Sequence, residues 1–216
     1  MIPQLVVTGT DTNVGKTILS SLLMASLPDY HYWKPIQSGL QSETDSETVS
    51  LFSGCGSERI LDEAYRLTQP LSPHLSAKLD GTKIELEHLD LPVSPKLIIE
   101  GAGGVLVPVT EQSLMIDLFA RWDLPLLIAT RSALGTINHT LLTIEALRKR
   151  NIPILGCVTI GDLNIKNEEA ITKYGGIEVL GRIPPLSSLN STALRMVFEH
   201  EFDMLRLLLT NELAKS

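Results

Sequence analysis

The chain has 216 residues, 44% hydrophobic and 20% charged, with a formal net charge of −7 at pH 7. That length supports one domain with a real core. The acidic balance argues against a nucleic-acid surface, which needs clustered lysine and arginine, but leaves room for a local basic pocket that binds a small anion. Cys55 and Cys157 are far apart, in no metal-ligand spacing, and read as reduced thiols in or near a core. No apolar run approaches the ~20 residues that span a bilayer. The N-terminus enters an apolar strand without a basic leader, so a cytoplasmic enzyme with no membrane partner is expected.

Gln4 to Thr8, QLVVT, reads as a buried strand, and Lys16 to Leu27 has apolar residues at helical spacing. Between them lies GTDTNVGKT, Gly9 to Thr17. A strand, a glycine-bearing loop and Gly-Lys-Thr at a helix start make a phosphate cradle. Backbone N–H groups and the helix N-terminus face the anion, Lys16 adds a point charge for the β- and γ-phosphates, and Thr17 offers a hydroxyl to Mg²⁺. The common loop has four residues between its glycines. This one has five, TDTNV, and one of them, Asp11, is anionic.

HYWKP, His31 to Pro35, is a short second strand cut off by its proline. Lys34, held extended by that proline, can point into the same pocket as Lys16, where two lysines would stabilise charge developing on a phosphoryl or carboxyl group. Gln37 to Pro95 is less regular and is expected to carry ligand contacts along with short helices. Within it, Asp45 and Glu47 are each a helix cap or a Mg²⁺ carboxylate. KLIIE, Lys96 to Glu100, is a third strand that ends in Glu100 and is followed by a Gly-Ala-Gly-Gly turn. The carboxylate would hold Mg²⁺ directly or through water, and the glycines let backbone approach the ligand.

A helix over Leu114 to Trp122 and a fourth strand over Leu124 to Thr130 follow. Gly135 and Thr136 then precede an amphipathic helix, Asn138 to Arg150. Its free N–H groups would bind an anion such as a carboxylate, unless Thr136 or Asn138 simply caps them. The remaining elements are a fifth strand over Ile152 to Ile160, a helix over Asn167 to Tyr174, a sixth strand over Val179 to Ile183 and a closing helix over Thr192 to Leu213. Continuous apolar strands between amphipathic helices indicate a three-layer αβα fold of the P-loop NTPase kind. Its central sheet is mostly parallel, and its ligand site lies at the carboxyl ends of the strands.

The stretches GTDTNVGKT, YWKPIQSG, LSPH, IIEGAGG, LGTINHTLLT and GRIPPL run in order from Val6 to about Leu186. Together they resemble the dethiobiotin synthetases, the ATP-dependent carboxylases of biotin biosynthesis. The resemblance implies that 7,8-diaminopelargonic acid, CO₂ and Mg-ATP are converted to dethiobiotin, ADP and phosphate through a carbamate and its mixed anhydride with phosphate. It also implies a homodimer with the substrate site near the subunit interface. Lys16 and Lys34 then flank the carbamate and γ-phosphate, Thr17, Asp45 and Glu100 hold Mg²⁺, and Thr12 and Ser38 lie near the diamine and carbamate. The diphosphate sits on Asn13, Val14, Gly15, Lys16, Thr17 and Ile18. Gly101, Ala102, Gly103, Gly161, Pro184, Pro185 and Leu186 complete the nucleotide site. The backbone of Gly135, Thr136, Ile137 and Asn138, from the partner subunit, receives the substrate carboxylate.

One position departs from the family. Many relatives carry an adenine-reading asparagine where this chain has Gly161, followed by Asp162. A carboxylate accepts from guanine's N1–H and amino group, so ATP is expected to work with relaxed nucleobase choice, Asn164 or the Pro184 to Leu186 backbone compensating. The extra loop residue is expected to let Asp11 and Thr12 face a diamine beside the phosphate, or to make Asp11 part of the metal shell, and near cations its carboxylate stays ionised. The alternatives are another P-loop synthetase or amide ligase, a partitioning ATPase, whose KGGxGKT motif would put its first lysine at Asp11, and a non-catalytic nucleotide-binding module. His74 is a ligand contact or a loop histidine, His139 reads as a first-turn helix residue, and Trp33 and Trp122 read as packing residues.

Overall fold

The apolar runs fold into a sheet that is buried on both faces. The structure, a computed structural model, describes residues 2–210. Nine strands are present among them: β1 (Gln4–Gly9), β2 (His31–Trp33), β3 (Ile36–Ser38), β4 (Ile60–Leu61), β5 (Tyr65–Leu67), β6 (Leu97–Gly104), β7 (Leu126–Arg131), β8 (Ile154–Ile160) and β9 (Val179–Ile183). The main sheet has the order β4-β2-β6-β1-β7-β8-β9, with every pairing parallel. Strands β3 and β5 form a separate parallel pair.

Side chains alternate across this sheet, as a strand's period of two requires. Leu5, Val7, Leu127 and Ala129 enter the cluster beneath α1 (Lys16–Ser26), α2 (Asp45–Ser53), α7 (Ser191–Glu201) and α8 (Asp203–Thr210). Val6, Leu126 and Ile128 enter the opposite cluster, with α3 (Pro73–Leu79), α4 (Met115–Trp122), α5 (Thr136–Arg148) and α6 (Ile165–Gly175). Each fully buried aliphatic side chain contributes about 1.5–3 kcal/mol, so both layers are held to the sheet by many such residues. Trp33 and Trp122 pack with ring centroids 6.0 Å apart, and each indole N–H donates to a backbone carbonyl, of Asp62 and Leu89 respectively. Both cysteines are free thiols, and burial pushes the Cys157 thiol up to about 12.

Two expected elements differ. The third strand does not stop at Glu100: β6 continues through the Gly-Ala-Gly-Gly stretch to Gly104, which pairs with Gly9 after a register shift in β1. The closing helix is two helices, broken at Phe202, whose φ of −128° leaves the helical region. Phe202 is fully buried and stacks on Phe198, so the chain bends to keep both rings in the core. Leu213, the expected end of that helix, lies outside the described residues.

Candidate active site

The loop after β1 enters α1 through Gly15, whose φ of +100° is left-handed and whose missing Cβ leaves room for Ile160, 2.6 Å from where a Cβ would lie. Helix α1 has no side-chain cap and no acidic residue in its first turn. An uncapped N-terminus that begins with Lys16 is poorly satisfied by itself and well suited to an anion. The Lys16 ammonium donates to the Asp11 carbonyl at 3.2 Å, which folds the loop around it.

Behind the loop is a dense polar cluster. Glu100 and Lys34 are 0% and 3% exposed, and they face each other as an ion pair. The Lys34 ammonium lies 2.7 Å from Asp45 Oδ2 and 3.1 Å from Glu100 Oε1, and it donates to the Gly101 carbonyl at 3.2 Å. Thr17 Oγ1 is 2.7 Å from Asp45 Oδ1 and 3.0 Å from Glu100 Oε1. Burial alone would pull Lys34 down, but the Glu100 and Asp45 carboxylates outweigh it and its pKa stands above the ordinary lysine value. Lys16 goes the other way, lowered by burial and by the charge of Lys34. Burial raises Asp45, and the adjacent Lys34 more than reverses that, leaving it below the usual carboxylate range.

Asp45 is neither a cap nor a stray surface acid. The cap of α2 is Thr44, in a capping box with Glu47: Thr44 Oγ1 accepts from the Glu47 N–H at 3.2 Å, and Glu47 Oε2 accepts from the Thr44 N–H at 2.7 Å. This frees Asp45, the first helical residue, to face Lys34 and Thr17, while its N–H donates to Gln37 Oε1 at 3.1 Å. Thr44→Ala is expected to lower unfolding free energy by about 1 kcal/mol in urea titration, the usual cost of losing such a cap.

Among the described residues, no group of three or more His, Cys, Asp or Glu side chains is placed to hold a metal. The set Thr17, Asp45 and Glu100 offers two carboxylates and a hydroxyl, all hard oxygen donors. That suits Mg²⁺, which is usually held by one or two carboxylates together with phosphate oxygens.

These groups line one cleft of about 800 Å³, bordered by Thr12, Asn13, Lys16, Thr17, Lys34 and Ser38. Gly15, Ile18, Asp45, Glu100, Ala102 and Gly103 also border it. Ser38 Oγ is buried without a hydrogen-bond partner. Val14 is buried in the core cluster beneath α1, so only its backbone can serve a phosphate. Gly101, Gly161, Pro184, Pro185 and Leu186 are not part of the cleft wall. The His74 ring is 3.0 Å from Ser72 Oγ, and His74 too is absent from the wall.

Asp11 is not among the residues that border this cleft. Its carboxylate accepts the Thr12 N–H at 2.7 Å and borders two side cavities of about 250 and 90 Å³. His139 borders both, while Gly135 and Thr136 border only the smaller. The residue at the cap of α5 is Gly135, with no side-chain cap. Thr136 does not cap: its hydroxyl lies 2.7 Å from Thr130 Oγ1, which also meets Thr140 at 2.8 Å. Ile137 packs partly against the core, and Asn138 is exposed. Arg131 donates to the Thr12 carbonyl at 3.1 Å, tying the end of β7 to the loop.

Just past β8, Gly161 has φ +127°, and a Cβ there would lie 2.5 Å from Ser132 Oγ. An asparagine at 161 would require that contact to give way. The side chain of Asn164 is committed to capping α6, accepting from the Asn167 N–H at 3.2 Å.

Two functional neighbours escaped sequence reasoning. Ser20 Oγ and Tyr32 Oη donate to Glu100 Oε2 at 2.7 and 3.0 Å. Their positions carry a signal: Ser20 is three residues after Thr17 on one helix face, and Tyr32 two before Lys34 on one side of an extended segment.

Residues 3–193 match the protein family described as an AAA domain. Among solved structures, the septum site-determining protein MinD complexed with Mg-ADP from Pyrococcus horikoshii aligns with a TM-score of 0.54 over 96% of this chain and 98% of its own, at 13% identity. The MinC:MinD complex of Aquifex aeolicus also gives 0.54, at 13% identity over 89% of this chain and 85% of that chain. These likenesses show the P-loop fold. Closer in sequence, the ATP-dependent dethiobiotin synthetase BioD of Rhodopseudomonas palustris strain TIE-1 is 50% identical over 94% of this chain and 96% of its own. The enzyme of the same name from Agrobacterium fabrum is 52% identical over 92% and 94%. On this identity and coverage, the chain belongs to the dethiobiotin synthetase family.

Proposed function

We propose that this chain is an ATP-dependent ligase that converts 7,8-diaminopelargonic acid and CO₂ to dethiobiotin. The observation that carries the reading is the convergence of Lys16, Lys34, Thr17, Asp45 and Glu100 at a cleft also lined by Thr12 and Ser38. One neutral amine attacks CO₂ and loses a proton to become a carbamate. A carbamate oxygen then attacks the γ-phosphorus, breaking its bond to ADP. The second amine attacks the activated carbonyl, phosphate leaves, and the ureido ring is closed.

The chain's own groups act by placement and charge. Lys16 and the first turn of α1 hold the phosphates, and Lys34 faces the oxygens on which charge develops. Two ammonium groups in one pocket also favour a neutral substrate amine by like-charge repulsion. Thr17, Asp45 and Glu100 would hold Mg²⁺, which would supply charge neutralisation to the triphosphate. Ser38, partly exposed but with its hydroxyl oxygen buried and unpaired, is available to the carbamate. Asp11, facing the side cavities, offers a carboxylate to the diamine, away from the triphosphate.

The uncapped start of α5, Gly135 to Asn138, suits the substrate carboxylate. Exposed Leu106, Leu134 and Leu142 lie at the side cavities, an apolar surface that a second copy of the chain would cover in a homodimer. The chain functions as one P-loop domain in the cytoplasm. Among the described residues no helix is long and apolar enough to cross a membrane.

The test is a mass-spectrometric assay with diaminopelargonic acid, bicarbonate and Mg²⁺, with ATP, GTP, CTP and UTP supplied separately. Dethiobiotin is expected with ATP and with at least one other triphosphate, because Gly161 offers no amide to read adenine. Strict use of ATP would refute the relaxed base choice. No product from folded protein with any nucleotide would refute the assignment.

A further inference from the structure

The carboxylate of Glu100 is held asymmetrically. Its Oε2 accepts from Ser20 Oγ at 2.7 Å and from Tyr32 Oη at 3.0 Å, and Ser20, Tyr32 and Glu100 are all fully buried. An ionised carboxylate has about two acceptor sites per oxygen, so these two hydroxyls saturate Oε2. The other oxygen, Oε1, faces Thr17 and Lys34 at the cleft. Tyr32 hydrogen bonds through its hydroxyl to Glu100, and its ring is packed in the core beneath α1.

We propose that Tyr32, together with Ser20, is a positioning residue that makes Glu100 a one-oxygen ligand and thereby sets the site for Mg²⁺ against Ca²⁺. Mg²⁺ takes a tight octahedral shell with few carboxylates, whereas Ca²⁺ takes six to eight oxygens and readily accepts a carboxylate through both. Pinning Oε2 denies the larger ion that second oxygen. Releasing it lets the carboxylate rotate and loosens the geometry that Mg²⁺ demands. Outer-shell partners of this kind typically change metal affinity by about 10- to 100-fold when removed.

The inference rests on the metal reading above, and the experiment separates the two. Mn²⁺ binding to the full chain with saturating ADP is followed by electron paramagnetic resonance, with Mg²⁺ and Ca²⁺ as competitors. Tyr32→Phe keeps the ring and removes one donor, and Ser20→Ala deletes a single oxygen and serves if the first variant folds poorly. Each is expected to weaken Mg²⁺ on the order of tenfold while Ca²⁺ holds or tightens, so the Mg²⁺:Ca²⁺ affinity ratio falls. An unchanged ratio in both variants, whatever the absolute affinities, overturns the role of Tyr32 and Ser20. Wild-type protein that binds no Mn²⁺ in the presence of nucleotide overturns the metal site itself.

Discussion

Lys34→Ala is expected to reduce turnover by about 10²–10³-fold or more, the range seen when one preorganised donor to developing charge is removed. Lys34 is 3% exposed and fixed between Asp45, Glu100 and the Gly101 carbonyl, so its ammonium needs no reorganisation as charge builds on the reacting oxygens. Ser38→Ala is the comparison: it removes a neutral hydroxyl and should cost no more than about tenfold, the upper end of a single neutral hydrogen bond. Lys16→Ala should resemble Lys34→Ala, and comparable small losses in all three would count against the site. The Lys34 variant also carries a pH signature. The pKa of Asp45 is held low in the folded protein, chiefly by Lys34 acting against burial. That contribution to stability is present above the ordinary aspartate pKa and lost as pH falls through the depressed one. Without Lys34 the dependence should flatten in that acid window, which urea titrations across pH would read.

Glu100→Gln is expected to cost about 3–5 kcal/mol of stability, the range for removing one partner of a buried ion pair. The amide is nearly isosteric, so the loss is electrostatic. If the amide oxygen faces Ser20 and Tyr32, its NH₂ group meets the Lys34 ammonium, donor against donor. If it faces Lys34, the hydroxyls of Ser20 and Tyr32 lose their acceptor. Neither orientation restores the network. Denaturant midpoints at unchanged slope would measure the effect, and a shift worth under about 1 kcal/mol, no more than an exposed ion pair contributes, would mean that the pair contributes little in the buried site. Nucleotide-dependent metal binding should be lost in the same protein.

Much of this site was legible because its chemistry is written locally. Gly-Lys-Thr after an apolar run, a lysine before a proline and a carboxylate before glycines each define a backbone environment within a few residues. The helices and long strands were legible for the same reason. What escaped depends on distant neighbours. Strands β3, β4 and β5 are two or three residues long, too short for a periodicity to mark them, in a segment rich in proline, serine and glycine. Strand β6 extends through glycines because β1 pairs alongside it, and because a Cβ on Gly101 would meet the Phe119 ring at 2.8 Å. Tyr32 looks like any strand aromatic until the fold sets Glu100 beside it. The cap of α5 escaped because Thr136 spends its hydroxyl on Thr130, six residues upstream.

The polar cluster also constrains how the protein reaches its working form. Thr17 and Glu100 meet across 83 positions of sequence, Ser20 and Glu100 across 80, and Lys34 and Glu100 across 66. Closing loops of that length is entropically costly, and sheets built on such pairings fold slowly. Strand β6 must insert between β1 and β2 before any of these contacts exists. Glu100 therefore meets Thr17, Ser20 and Lys34 only once the centre of the sheet is paired. A chain in which β6 has not yet paired lacks the contacts of Glu100 and so the cradle behind the loop.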